Sequence, residues 1–211
     1  MESQTDPHLR KLLDEMEGIW RAVDPTLPDD LAPGLSPQEL DEITAPLGLR
    51  LNRDAKTWYG WHNGTKTGHS QGYGAEIGAY FGSFIDAEIA VRVYHRKLAV
   101  AEEFAELCGS LGAAGWDPTW FPLWVTIGGD VVNTDCSVPP GVSAPVRIRV
   151  KDIDEPRRVI APSLTEVVQQ WLDLYRLGYY YWNTAHHRWT FNDSLESPPP
   201  WLKRARATGI A

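Results

Sequence analysis

The residues with the most chemical promise lie in Gly68-His69-Ser70-Gln71-Gly72, which spells the G-x-S-x-G pattern of serine hydrolases. In those enzymes the serine rides a strained turn between a buried strand and a helix, which lifts its hydroxyl toward substrate. An acid and a base would have to follow, and Asp130 or Asp135 with His186 or His187 has the required chain order. The setting argues against such an enzyme. "WHNGTKT" before the serine is polar and turn-forming, and "YGAEIG" after it is a poor helix start. The segments ahead of it carry helical periods where a hydrolase needs strands. The pentapeptide therefore reads as a glycine-rich loop, with a serine hydrolase using Ser70 as the disfavoured alternative.

Other chemistry fares no better. His186, His187 and Asp193 could bind a metal, but neighbouring histidines on a strand point to opposite faces. His8, His62, His69 and His95 lack ligand spacing, as do Cys108 and Cys136. His62-Asn63 resembles a fragment of a His-Asn-His nuclease, yet the end of a helix accounts for it. Gly128-Gly129 is followed by neither a helix nor a lysine, so it predicts a hairpin turn rather than a phosphate loop. No catalytic residue, metal ligand or cofactor is predicted.

The elements around these residues can be read from caps and periods. Asp6-Pro7 starts a helix whose apolar positions run from Leu9 to Val23. A proline-rich linker, Asp24 to Gly34, follows. Ser36, Pro37 and Glu39 form a capping box for a helix ended by Pro46 and Gly48. A third helix runs from about Asp54 to Trp61, with Asn63-Gly64 as a left-handed stop. Trp61 is expected to be buried against Leu40 and Ile43. Asp86 caps a long helix to about Leu107, with Ile89, Ala90, Val93, Tyr94, Ala101, Phe104 and Leu107 inward. "FPLWVTIGGDVVNTDC", "PVRIRVKDI" and "RRVIA" then read as antiparallel strands. Ser163 caps a closing helix with Leu164, Val167, Val168, Trp171, Leu172 and Tyr175 inward, and an aromatic-rich tail ends the chain. Helices, a meander and a closing helix predict an α+β fold.

Charge narrows the partners. The 211 residues carry a net charge of −8, and 43% are hydrophobic. Residues 1–110 hold 18 Asp and Glu against 10 Lys and Arg, while residues 111–211 hold 10 of each. Nonspecific nucleic-acid binding needs a basic footprint, which is absent. The acidic half suits a cationic protein partner. Its clusters are Asp29-Asp30, Asp41-Glu42, and Glu102, Glu103 and Glu106. A second candidate surface is the aromatic run Tyr179, Tyr180, Tyr181 and Trp182. The first residues have no apolar segment of a signal peptide, and no run approaches a membrane span of about 18 residues. A cytoplasmic protein with reduced thiols is expected.

Three pieces in order carry a resemblance. "LSPQELDEITAPLGLRLNRDAKTWYGWHNGT" resembles the opening of the SUKH superfamily, in its Smi/Knr cell-wall-regulator branch, with Leu47-Gly48, Leu51 and Trp61-His62-Asn63-Gly64 as matching residues and Asn52 in place of the usual proline. "FPLWVTIGGDVVNTDC" is similar to that family's aromatic-Pro-Leu strand, turn and second strand. "VIAPSLTEVVQQWLDLYRLGYYYWN" is similar to its last strand, helix start and closing aromatic segment. The resemblance spans roughly 34–183, leaving 1–33 as a helix and linker and 184–211 as an extension. It implies a non-catalytic α+β domain that binds proteins, such as a bacterial immunity protein docking on a polymorphic toxin, often a nuclease. A regulatory scaffold related to cell-wall assembly control is the alternative.

Overall fold

Side-chain caps set the helical layer. In the computed structural model, the Asp6 carboxylate accepts from the amides of His8 (2.8 Å) and Leu9 (3.1 Å), opening α1 (Pro7–Val23). The structure describes residues 5–26, 28–66, 76–77, 82–108, 116–126, 129–149, 158–186, 188–192, 194–195, 199–200 and 203. The expected capping box is present at α2 (Pro37–Thr44), where Ser36 and Glu39 each bond the other's backbone amide. Gly48 follows in the left-handed region. Asn52 caps α3 (Arg53–Trp61), and Asp86 accepts from the Ile89 amide at 2.6 Å in the first turn of α4 (Ala87–Cys108). Ser163 caps α5 (Leu164–Arg176).

The strands form a meander. Six antiparallel strands lie in chain order: β3 (Glu76–Ile77), β4 (Gly82–Phe84), β5 (Trp120–Thr126), β6 (Val131–Asp135), β7 (Val146–Arg149) and β8 (Arg158–Ala161). Phe84, Trp124, Val132 and Ile148 are register partners and so share one face. On that face Trp124 meets Trp58 of α3 and Trp171 of α5, at 5.7 and 5.2 Å between ring centroids. The fold is α+β, as the order of periods predicts.

Two regions differ from the sequence reading. The proline-rich segment carries a 3-10 turn (Pro28–Asp30) and β1 (Leu31–Pro33), which pairs with β2 (His62–Thr65). The third helix therefore runs straight into a strand at His62, and the left-handed residue is Gly64, inside that strand. The aromatic tail forms a hairpin of β9 (Tyr180–Asn183) and β10 (Arg188–Phe191), so the boundary expected at 183/184 falls inside a paired unit. Likewise α1 is no appendage. Leu9, Leu13, Met16 and Trp20 belong to the same buried cluster as α3 and α5, and the Trp20 indole donates to the Tyr175 hydroxyl at 3.1 Å.

The first turn of α3 ties these layers together. Asn52 donates to Thr134 Oγ1 (2.6 Å) and to the Asp135 carbonyl (3.1 Å) of β6. Arg53 pairs with Asp6 at 3.0 Å and donates to Ser143 at 2.9 Å. Asp54 accepts from Ser143 (3.0 Å) and from the Leu164 amide (3.3 Å) at the start of α5. Lys56 pairs with Asp41 of α2 at 2.8 Å, and Thr57 accepts from the Asp6 amide at 2.7 Å. Buried polar groups are tolerated when partnered in this way.

Trp61 is buried as expected, and its ring neighbours include Trp20, Trp58 and Phe84, in the same core cluster as Leu40 of α2. In α4 the inner residues Ala90, Tyr94 and Ala101 are buried, whereas Leu107, expected inward, is 77% exposed, because it lies about 140° around the helix from Tyr94. The Phe104 side chain lies outside what the structure describes.

Two left-handed glycines separate strain from collision. Gly129 has φ +83 at the β5–β6 bend, where its amide bonds the Thr126 carbonyl and a Cβ would meet nothing within 4 Å. Gly64 has φ +70, and a Cβ there would lie 2.6 Å from the Asp86 amide nitrogen. Gly129→Ala should cost about 1–2 kcal/mol, the strain alone. Gly64→Ala should cost more, because the backbone before α4 must also shift. Urea denaturation of the two variants checks the order; equal losses would show that the close approach is absent.

Candidate functional site

The residues singled out for catalysis are not brought together in the described part of the chain. Ser70, His69, His187 and Asp193 lie outside the described residues. His186 sits exposed in the turn between β9 and β10, its amide bonded to Asn183. Asp135 is engaged in structure: its Oδ1 accepts from Ser137 N (3.0 Å) and Oγ (2.6 Å), and its Oδ2 lies 3.5 Å from Arg147. Asp130 sits at the hairpin bend, its carbonyl accepting from the Thr126 amide. Among the described residues no group of three or more His, Cys, Asp or Glu could hold a metal. Burial pushes the Cys136 thiol up to about 12, which leaves it protonated and unreactive at neutral pH.

His62 and Asn63 are held by the fold. The ring of His62 lies between the Ala32 carbonyl, 2.9 Å from Nδ1, and Glu17, 3.3 Å from Nε2. Asn63 accepts from the Ala87 amide at 2.8 Å and so caps α4 from outside. The pair thus positions β1 and α4 with its own polar atoms.

The binding candidates divide. Glu42, Glu102, Glu103 and Glu106 are exposed, on two helices, α2 and α4, that pack against each other. Asp41 is also exposed but is committed to Lys56. Of the aromatic run, only Tyr181 is exposed, at 42%, with Trp182 half-buried. Tyr179 and Tyr180, expected as surface residues, are each 3% exposed. The physical reason is the hairpin: Tyr180 stacks on Trp189 across the strands at 5.7 Å and packs against Tyr175 of α5. The alternation of strand faces, with Tyr180 and Trp182 on one and Tyr181 on the other, was available in the sequence. What hid it was the missing partner strand, Arg188–Phe191.

The chain matches no protein-family model and no curated protein.

Glu17 supplies a pH test of the His62 setting. Burial pushes its pKa up, but hydrogen bonds and charge from Arg21 and His62 outweigh this and hold it below the ordinary 4.5. A carboxylate depressed in the fold contributes stability above its unfolded pKa and loses it as pH falls through the folded value. Glu17→Gln should therefore show a shallower loss of stability below pH 4.5 than the parent chain. Urea midpoints between pH 7 and 3 measure this, and parallel curves would remove Glu17 from the acid response.

Proposed function

We propose that this chain is a non-catalytic protein-binding domain whose acidic surface docks on a cationic protein, in the manner of an immunity protein covering a toxin domain. The observation that carries the reading is the set of exposed carboxylates on α2 and α4, of which Glu42, Glu102, Glu103 and Glu106 form no ion pair among the described residues. Carboxylates left without cations set up a field that steers a basic partner and suppresses wrong ones. The ordered motifs that resemble the SUKH superfamily support the same class. So does the interior, where polar residues that could do chemistry are spent on joining helices.

Co-expression tests it. If a toxin nuclease domain is encoded beside this chain's gene, co-expression should abolish its toxicity and yield a complex whose association slows as salt rises from 0.1 to 1 M, where the Debye length falls from about 10 to about 3 Å. Glu42→Lys should slow association and flatten that salt dependence while leaving the melting temperature unchanged. Undiminished toxicity with no complex would contradict the proposal.

A further inference from the structure

The outer face of α4 has a charge order that its own helix does not reward. Ala90, Tyr94 and Ala101 define the buried side. Opposite them, Arg92, Arg96, Ala99, Glu103 and Glu106 recur at spacings of four and three and form one exposed stripe. Glu88 of the first turn stands four residues before Arg92, a favourable spacing; beyond it the basic residues come first along the stripe and the acidic ones last. Arg92 and Arg96 are like charges at i, i+4, and so are Glu102 and Glu106, which weakens an isolated helix. The carboxylates also crowd the C-terminal end, where the helix dipole favours cations, and no basic residue stands in the last turn. None of Arg92, Arg96, Glu102, Glu103 and Glu106 forms an ion pair with another described residue.

We propose that this stripe is a self-complementary surface on which a second copy of the chain docks, α4 against α4 and antiparallel, with Ala99 on the two-fold axis. Reversal about Ala99 sets Arg92 opposite Glu106 and Arg96 opposite Glu102, one residue from Glu103 of the stripe, and symmetry makes each pairing twice. The same reversal opposes the two helix dipoles. Alanine at the axis lets the backbones approach, and Val100 and Leu107, 41% and 77% exposed beside the stripe, gain apolar cover. The contact from residue 92 to 106 is about 21 Å long, which places it at the low end of specific interfaces. It is a weak, salt-sensitive dimer. The proposal goes beyond the docking reading and does not rest on it: the second copy and a cationic partner compete for Glu102, Glu103 and Glu106, so the dimer gives way when that partner docks, whereas Glu42 serves the partner alone.

Sedimentation equilibrium of the full chain tests it. The parent chain should dimerise reversibly, with the dissociation constant rising at least about tenfold between 0.1 and 1 M salt. Arg92→Glu with Arg96→Glu gives an all-acidic stripe, and Glu103→Arg with Glu106→Arg an all-basic one. Each should be monomeric alone, with circular dichroism and melting temperature showing it folded, and an equal mixture should dimerise. Ala99→Cys adds an independent readout, since a thiol on the axis should crosslink to its own copy under mild oxidation while the parent chain does not. A parent chain that stays monomeric, acidic and basic variants that dimerise unmixed, a mixture that does not associate, or an uncrosslinked Ala99→Cys chain would each overturn the proposal.

Discussion

Everything in this structure hangs on one polar turn of helix buried in an apolar interior. Asn52, Asp54, Lys56 and Thr57 are all among the buried polar residues, and each is spent on a different neighbour. Asn52 holds β6, Lys56 holds α2, Thr57 and Arg53 hold the cap of α1, and Asp54 holds the first amide of α5. The α1 and α5 contacts fall at helix N-termini, where unsatisfied amides and the dipole favour a carboxylate. Burial nevertheless raises the pKa of Asp54, against hydrogen bonds from Ser143 and the Leu164 amide. Burial thus sets a cost on the ionised form, and what the group supplies is placement. The hydrophobic driving force is non-directional, whereas a carboxylate between two donors fixes direction as well as distance.

Around that turn the aromatic cluster supplies the bulk of the burial. Trp20, Trp58, Trp61, Phe84, Trp124 and Trp171 touch ring to ring across α1, α3, β4, β5 and α5. Area removed from water stabilises at about 25 cal/mol per Å², so large rings dominate the sum. The indole N–H groups of Trp58, Trp61 and Trp124 are buried without an acceptor among the described residues, each costing on the order of 1–3 kcal/mol. Packing has to offset that loss.

The helix starts were legible because a cap is a local device: Asp6, Ser36, Asp86 and Ser163 each act on amides two or three residues away. The meander was legible because alternation such as Val146–Arg149 reports one buried face. The hub was not. "NRDAKT" is polar, and a rule that sends polar residues outward places it on the surface, when its partners lie far along the chain, at Thr134, Ser143 and Leu164. Long-range pairing also defeated the hairpin at the C-terminal end and the exposure of Tyr179 and Tyr180. Leu107 failed for a local reason: 13 residues past Tyr94, it lies about 140° around the helix from the buried side and so faces outward. The acidic candidates on α4 were found from sequence, and their pairing with Arg92 and Arg96 along one stripe emerged only when the buried side fixed the helix's rotation.

Hydrogen exchange on an Asp54→Ala variant tests most directly whether one buried turn couples the helices. The change leaves the Leu164 amide and the Ser143 hydroxyl without their acceptor but keeps every aromatic ring in place. If α3 is the coupling element, amides in the first turns of α1, α3 and α5 lose protection together, while the β9–β10 hairpin keeps its own. Loss confined to the start of α5, or no loss anywhere, would show instead that the aromatic cluster alone holds the helices and that the polar turn is a passenger.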